Sequence, residues 1–310
     1  MTPPTGLGRG AAPRRTPARA GVRLAGAALT APALAMIAVF FYVPLVTMLW
    51  MTLHDWPLLG ERRFVGLRNY RDALDDVAFR NAVLFTFEYT LISTPVLLVL
   101  ALALALLVRR SGHAARFFQG LYFMPVVIGL AAGSFLWLFL FQSDIGPVSH
   151  LADRLGLTSR NTDWFADKTS ALLVVIAMVT WKVVGLQMLL LLAGLQAIPA
   201  EVEEAARVDG ANKWQTLRHI TLPLLRPTLA LVLVFSVAGS LLAFDQFFIM
   251  TSGGPTNSTI TAVYEIYRTS FIQFKLGLGA TFSALLMIVL VLVSALQLYL
   301  LRSSEPGSEP

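Results

Sequence analysis

An all-α, polytopic membrane protein with six spanning helices is the fold class this sequence predicts, and three observations lead to it. The 310 residues are 56% hydrophobic and only 14% charged, with mean hydropathy +0.69, whereas a water-soluble domain carries about a quarter charged residues. A single aqueous core cannot hide that much apolar side chain. Reading from charge to charge also gives six apolar stretches, and a hydrocarbon core about 30 Å thick needs roughly 20 apolar helical residues to cross it. Finally, Leu, Ala, Val and Phe dominate these stretches and none alternates with period two, which points to helices and away from an outer-membrane barrel. Basic residues flanking spans account for the formal net charge of +6 more simply than nucleic acid does. No Cys is present, which removes disulfides, thiolate metal sites and thiol catalysis.

The elements follow in order. Residues 1–25 form a basic Pro/Ala/Gly-rich tail, expected to be disordered. The first span covers 26–53. Its apolar run is too long for a signal-peptide core of about 7–15 residues, so it is expected to remain as an anchor. After a polar loop at 54–81, a core region over 82–302 holds helices at about 82–108, 117–141, 171–193, 228–250 and 277–301. Pro95 and Pro125 are placed to kink the helices that contain them. The closing tail is 303–310. An even number of spans puts both termini on one side. Arg9, Arg14, Arg15, Arg19 and Arg23 all precede the first span, which makes that side cytoplasmic. Segments 54–81, 142–170 and 251–275 then lie outside, the last opening with the turn-rich "TSGGPTNST".

One inner connector stands out: "EVEEAARVDGANKWQTLRHITLPLLRP", Glu201 to Pro227, is charged and patterned where a few residues would join two spans. Pro199 is tolerated at a first helical turn, and Glu201, Glu203 and Glu204 suit the positive end of the helix dipole. Gly210 is placed to end this helix in a left-handed conformation, and Asn212 with Gln215 resembles a capping box for a second one. Trp214, Leu217, Ile220 and Thr221 recur at helical spacing, and Pro223 and Pro227 bound the end. The expected product is helix, glycine elbow, helix. An acidic, small-sided first helix fits a groove on another protein better than an anionic lipid surface.

The stretch resembles the EAA loop of permease subunits of binding-protein-dependent ABC importers, whose pattern runs E-A-A, D-G-A, I-x-L-P. It falls here on Glu204, Ala205, Ala206, Asp209, Gly210, Ala211, Ile220, Leu222 and Pro223. "FVGLRNYRDAL", "LLLLAGLQAIP" and "FDQFFIMTSGGPTNST" look like the carbohydrate-importer branch of type I architecture. Two positions depart from that branch: Ser149 follows Gly146-Pro147-Val148 where Asn is common, and Phe85-Thr86 stands where Asn-Thr is frequent. The resemblance implies a prokaryotic cell-membrane subunit that is not itself an enzyme. It implies a second, similar permease forming a heterodimer and two cytoplasmic ATPase subunits that bind ATP and Mg and engage the EAA loops. It also implies an extracytoplasmic solute-binding protein that delivers a sugar or sugar-like solute. No cofactor is expected in this chain.

Glu88, Lys182 and Asp245 fall inside expected spans. A charge at the bilayer centre costs about 2.5–3.5 kcal/mol, so each is expected to face protein or water. At 1.5 Å per residue, Glu88 lies about 9 Å and Lys182 about 16 Å below the outer surface, and Asp245 about 26 Å above the inner one. Those depths allow Lys182 to pair with Glu88 or Asp245. The set is open to two readings: a polar lining for a hydroxyl-rich substrate, or interhelical ion pairs and charges reaching outward. Trp137 and Trp181 are candidates to stack on a sugar ring, and Gln187 to hydrogen-bond one. His54, His113, His150 and His219 are scattered without metal-ligand spacing. No G-x-x-x-x-G-K-[ST] loop occurs, so any ATP hydrolysis must come from a partner. The rival reading is an ion-coupled secondary transporter of a small polar solute, though no convincing internal repeat relates the two halves. A membrane enzyme would need clustered His or Asp at one interface, and the charges here are dispersed.

Overall fold

The structure is a computed structural model in which residues 29–109, 112–156 and 162–302 are described. The basic tail 1–25 and the closing segment 303–310 lie outside the described residues. The chain divides into two units, Met1–Trp50 and Met51–Pro310. Helix α1 (Leu29–Met51), which belongs to the first unit up to Trp50, is apolar and contains a π turn at Ala38–Tyr42.

The second unit opens with a short hairpin, β1 (His54–Asp55) and β2 (Arg63–Phe64), in which His54 faces Phe64 and Asp55 faces Arg63. Helix α2 (Arg68–Asp75) follows. Asn69 Nδ2 donates to Thr52 O and His54 O, at 2.8 and 2.9 Å, and so fixes the hairpin to the helix. Helix α3 (Val77–Leu107) begins earlier than expected because Asp76 caps it, its side chain accepting from Phe79 N at 2.8 Å. The helix runs unbroken through Pro95. Its buried face reads Ala82, Phe85, Tyr89, Ser93, Leu97, Ala101 and Ala105, a spacing of three and four residues that makes one stripe. The small members let a neighbour approach closely, which matters because lipid gives apolar side chains little reason to prefer protein.

The third apolar stretch departs from the expected single helix over 117–141. Helices α4 (His113–Val127) and α5 (Leu130–Leu140) meet at 98° across Ile128 and Gly129. Pro125 has no N–H to continue the ladder, and Ile128 and Gly129 are extended, with ψ 133 and 145. After α6 (Pro147–Arg154), Asp167 caps α7 (Lys168–Gln196) by accepting from Thr169 N and Ser170 N. Helix α7 packs on α3, α4 and α10 (Arg226–Leu241) and carries the centre of the core: Val175, Met178, Met188, Leu191 and Leu195, with Tyr89, Val232 and Phe247. Its crossing with α4 requires Gly185, since a Cβ there would collide with the Tyr122 carbonyl.

The connector folds as α8 (Ala200–Val208) and α9 (Lys213–Leu224). Helix α9 meets α10 at 72°. The expected fifth helix, 228–250, is interrupted: α10 ends at Leu241 and a separate α11 (Asp245–Met250) follows. Segment 251–275 is more than a loop. It contains α12 (Ala262–Tyr267), which runs into a π turn at Arg268–Ile272 and packs against α3 and α13 (Leu276–Arg302). Phe79 of α3 stacks on Phe282 of α13, with ring centroids 3.9 Å apart and planes 4° from parallel. Helices α1, α3, α7 and α13 are each long and apolar enough to cross a membrane, and the two bent pairs bring the number of spans to as many as six.

Candidate functional site

The connector is an elbow whose turn is capped from both sides, at the end of its first helix and at the start of its second. Helix α8 starts at Pro199 with Glu201 and Glu203 in its first turn. It ends where Gly210 N donates to Arg207 O and Ala211 N to Ala206 O, at 3.1 and 2.9 Å. That pair of bonds needs a left-handed residue between them, and Gly210 supplies it with φ +83. Helix α9 then begins with a reciprocal box: Gln215 N donates to Asn212 Oδ1 at 2.9 Å, and Asn212 N to Gln215 Oε1 at 2.8 Å. A π turn at Leu217–Thr221 leads to Pro223, with Leu222 N bonded to Leu217 O.

The motif residues divide by exposure. Glu204, Ala205, Asp209 and Gly210 are exposed, Ala211, Ile220, Leu222 and Pro223 are half-buried, and Ala206 is buried. Two large apolar side chains accompany the exposed set: Val208 is 87% and Trp214 65% accessible. The elbow thus presents apolar groups beside carboxylates, a surface suited to docking. It is fastened through Glu203. Arg109 Nη1 donates to Glu203 Oε1 at 2.7 Å, Arg109 Nη2 to Leu195 O at 3.4 Å, and Thr221 Oγ1 to Glu203 Oε1 at 3.3 Å.

The polar residues within the spans do not converge on one site. Glu88 pairs with Lys168, at 2.6 Å, and not with Lys182. Lys168 is the first residue of α7, so the bridge lies at the end of α7 opposite the elbow, where both partners are partly exposed. Lys182 instead donates to Val126 O at 3.3 Å. That carbonyl belongs to the last turn of the broken α4, where a cation satisfies a freed acceptor and meets the negative end of the dipole. Gln187 is buried and its Nε2 donates to Ser236 Oγ at 2.8 Å, tying α7 to α10, while its Oε1 has no partner among the described residues. Asp245 is the first residue of α11, not the interior of a long helix. The break at Leu242–Phe244 puts its carboxylate at a positive helix end.

Trp181 stands 5.9 Å from Trp137, which stacks on Phe141 at 5.4 Å, and Phe141 meets Trp164 edge-on at 5.4 Å. These rings pack on one another. The two departures noted in the sequence also have structural work: Ser149 Oγ accepts from Trp164 Nε1 at 3.0 Å, and Phe85 meets Phe247 edge-on, with ring centroids 5.2 Å apart.

A cleft of about 690 Å³ opens beside Glu88 and Lys168 and is also lined by Asn81, Asn257, Glu265 and Arg268. Sequence reasoning missed Glu265 because it placed 251–275 in a solvated loop. The side chain is buried, and that burial raises its pKa against the opposing pull of Arg268, 3.3 Å away. The acid and base three residues apart, Glu265 on α12 and Arg268 in the π turn that follows it, were the available signal.

Residues 73–304 match the family model described as binding-protein-dependent transport system inner membrane component. Among curated relatives, the sn-glycerol-3-phosphate transport system permease protein UgpA of Agrobacterium fabrum is 33% identical over 273 residues, covering 87% of this chain and 92% of that one. A probable starch degradation products transport system permease protein, AmyD of Thermoanaerobacterium thermosulfurigenes, is 27% identical over 275 residues, 89% of this chain and 93% of that one. A chain of the bacterial alginate ABC transporter, solved in complex with an alginate pentasaccharide-bound periplasmic protein, superposes with TM-score 0.82 at 19% identity, covering 93% of this chain and 98% of that one.

Proposed function

The chain belongs to the family of binding-protein-dependent transport system inner membrane components, and from that premise we propose that it is the permease subunit of an ATP-driven importer of sugars or sugar-like solutes. The names of the relatives support the cargo class, since they carry starch degradation products and sn-glycerol-3-phosphate. A type I importer fold supports the architecture. The single observation that carries the coupling role is the doubly capped elbow with Glu204, Ala205, Val208, Asp209 and Trp214 exposed upon it.

In this reading both termini and the elbow are cytoplasmic. The elbow docks on one of two ATPase subunits, which bind ATP and Mg, while a second permease completes the pore and an extracytoplasmic binding protein delivers the solute. This chain performs no hydrolysis itself. Closure of the ATPase pair moves the elbow as one body, because its helix ends are tied by backbone and side-chain bonds and not by a loose tether. The motion passes along the chain into α7 through Pro199 and into α10 through α9.

Reconstitution in vesicles tests the proposal. Uptake is expected only with the partner subunits, binding protein and ATP; uptake driven by a proton or sodium gradient alone would replace this reading with a secondary transporter. Glu204→Lys is expected to insert normally yet lose the co-purifying ATPase, because it reverses a charge on the exposed face of the elbow. Unchanged ATPase recovery together with normal uptake would count against docking.

A further inference from the structure

Helix α8 buries only Ala206, so apolar packing holds it weakly to the spans above. Its side-chain attachment concentrates at one carboxylate oxygen. Glu203 Oε1 accepts from both Arg109 and Thr221, and the same guanidinium reaches Leu195 O. The placement follows helix electrostatics. Arg109 stands just beyond the C-terminal end of α3 and contacts the last turn of α7, two ends where unpaired carbonyls favour a cation. Glu203 occupies the first turn of α8, where unpaired N–H groups favour an anion. Side-chain accessibilities of 28% for Arg109 and 16% for Glu203 keep the pair from the full solvent screening that makes exposed ion pairs nearly worthless.

The chain itself links the elbow to α7 and α10. Helix α3 has no such connection, because it is followed in sequence by α4. We propose that Arg109 and Glu203 are positioning residues that carry the movement of the elbow into α3, so that spans α3 and α7 respond to it together. The proposal rests on the importer reading above and adds to it a specific strut. Glu203 lies one position from Glu204, about 100° further round the helix, and is bonded inward while Glu204 is exposed. Docking and force transfer are thereby divided between neighbouring carboxylates.

The test uses the complete reconstituted importer and reads solute accumulated per ATP hydrolysed. Glu203→Gln and Arg109→Gln are expected to reach the membrane and recover the ATPase subunits as the parent chain does. Uptake per ATP should fall about fivefold to tenfold, the low end of the range of typical coupling free energies. The charge-exchanged Arg109→Glu/Glu203→Arg variant is expected to recover at least half of the loss. Because the chain has no cysteine, Arg109→Cys/Glu203→Cys joined by a short thiol cross-linker offers a second restoration that needs no charge.

Wild-type uptake per ATP in both single variants would overturn the assignment. So would single variants that fall while neither the exchange nor the cross-link restores them. If the single variants fail to insert, the cross-linked pair decides: coupling above that of the same pair without linker supports the strut, and equal coupling overturns it. Failure of the importer reading shows differently, as an unmodified chain that brings down no ATPase.

Discussion

At the scale of single residues, the instructive side chain is Lys182. Counting residues from the outer surface placed it at a depth compatible with Glu88 or Asp245, yet it meets neither. It bonds the Val126 carbonyl released by the break in α4. The charge was legible in the sequence; its partner was not, because that partner is a backbone atom made available only by a bend in another helix. Glu88 shows the converse, since its actual partner, Lys168, lies just outside the expected span at 171–193 and was not a candidate. Gly185 explains why the break can sit so close to α7. Gly185→Ala would drive a methyl group into the Tyr122 carbonyl, which is backbone and cannot swing aside. Overpacking of this kind costs about 1–3 kcal/mol. We expect the purified Gly185→Ala variant to melt at a lower temperature in detergent, and an unchanged melting point would show that α4 can retreat.

At the scale of elements, the elbow was the most legible part of the molecule. Its caps depend on near neighbours: Gly210 on Ala206 and Arg207, Asn212 on Gln215. Local chemistry is what a sequence records best. The bends in the third and fifth spans are not marked by such local pairs, and Pro95 and Pro125 illustrate the difference. Both were read as kink sites, yet α3 passes Pro95 unbroken while α4 stops shortly after Pro125, where an extended Ile128–Gly129 pair follows. Nothing lies within 4 Å of a Cβ at Gly210, so Gly210→Ala tests the backbone alone. A left-handed conformation costs an ordinary L-residue about 1–2 kcal/mol. Uptake should fall several-fold with unchanged insertion, and Gly210→Asn should stay near the parent because Asn tolerates that region. Equal uptake in all three chains would mean the elbow does not need its turn.

At the scale of the whole molecule, composition and run length were enough for an all-α membrane chain, and one 20-residue motif was enough for its family. The substrate route was not legible. Gln187, Trp181 and Lys182 were chosen as polar or aromatic groups within spans, and each is engaged in packing helices together. A membrane interior makes the same demand on a structural polar group as on a ligand-binding one: both must find a partner. Sidedness is directly measurable. In the cysteine-free background, Asn257→Cys is expected to react with a membrane-impermeant maleimide on intact cells, and Lys213→Cys only after permeabilisation; the reverse pattern would invert the molecule.

The run of rings from Trp181 through Trp137 and Phe141 to Trp164 has a practical use. It bridges α5 and α7 with two indoles 5.9 Å apart, near enough for their excited states to sense each other. Any shear between those helices during turnover should therefore alter the native ultraviolet emission, giving a label-free optical gauge of the transport cycle.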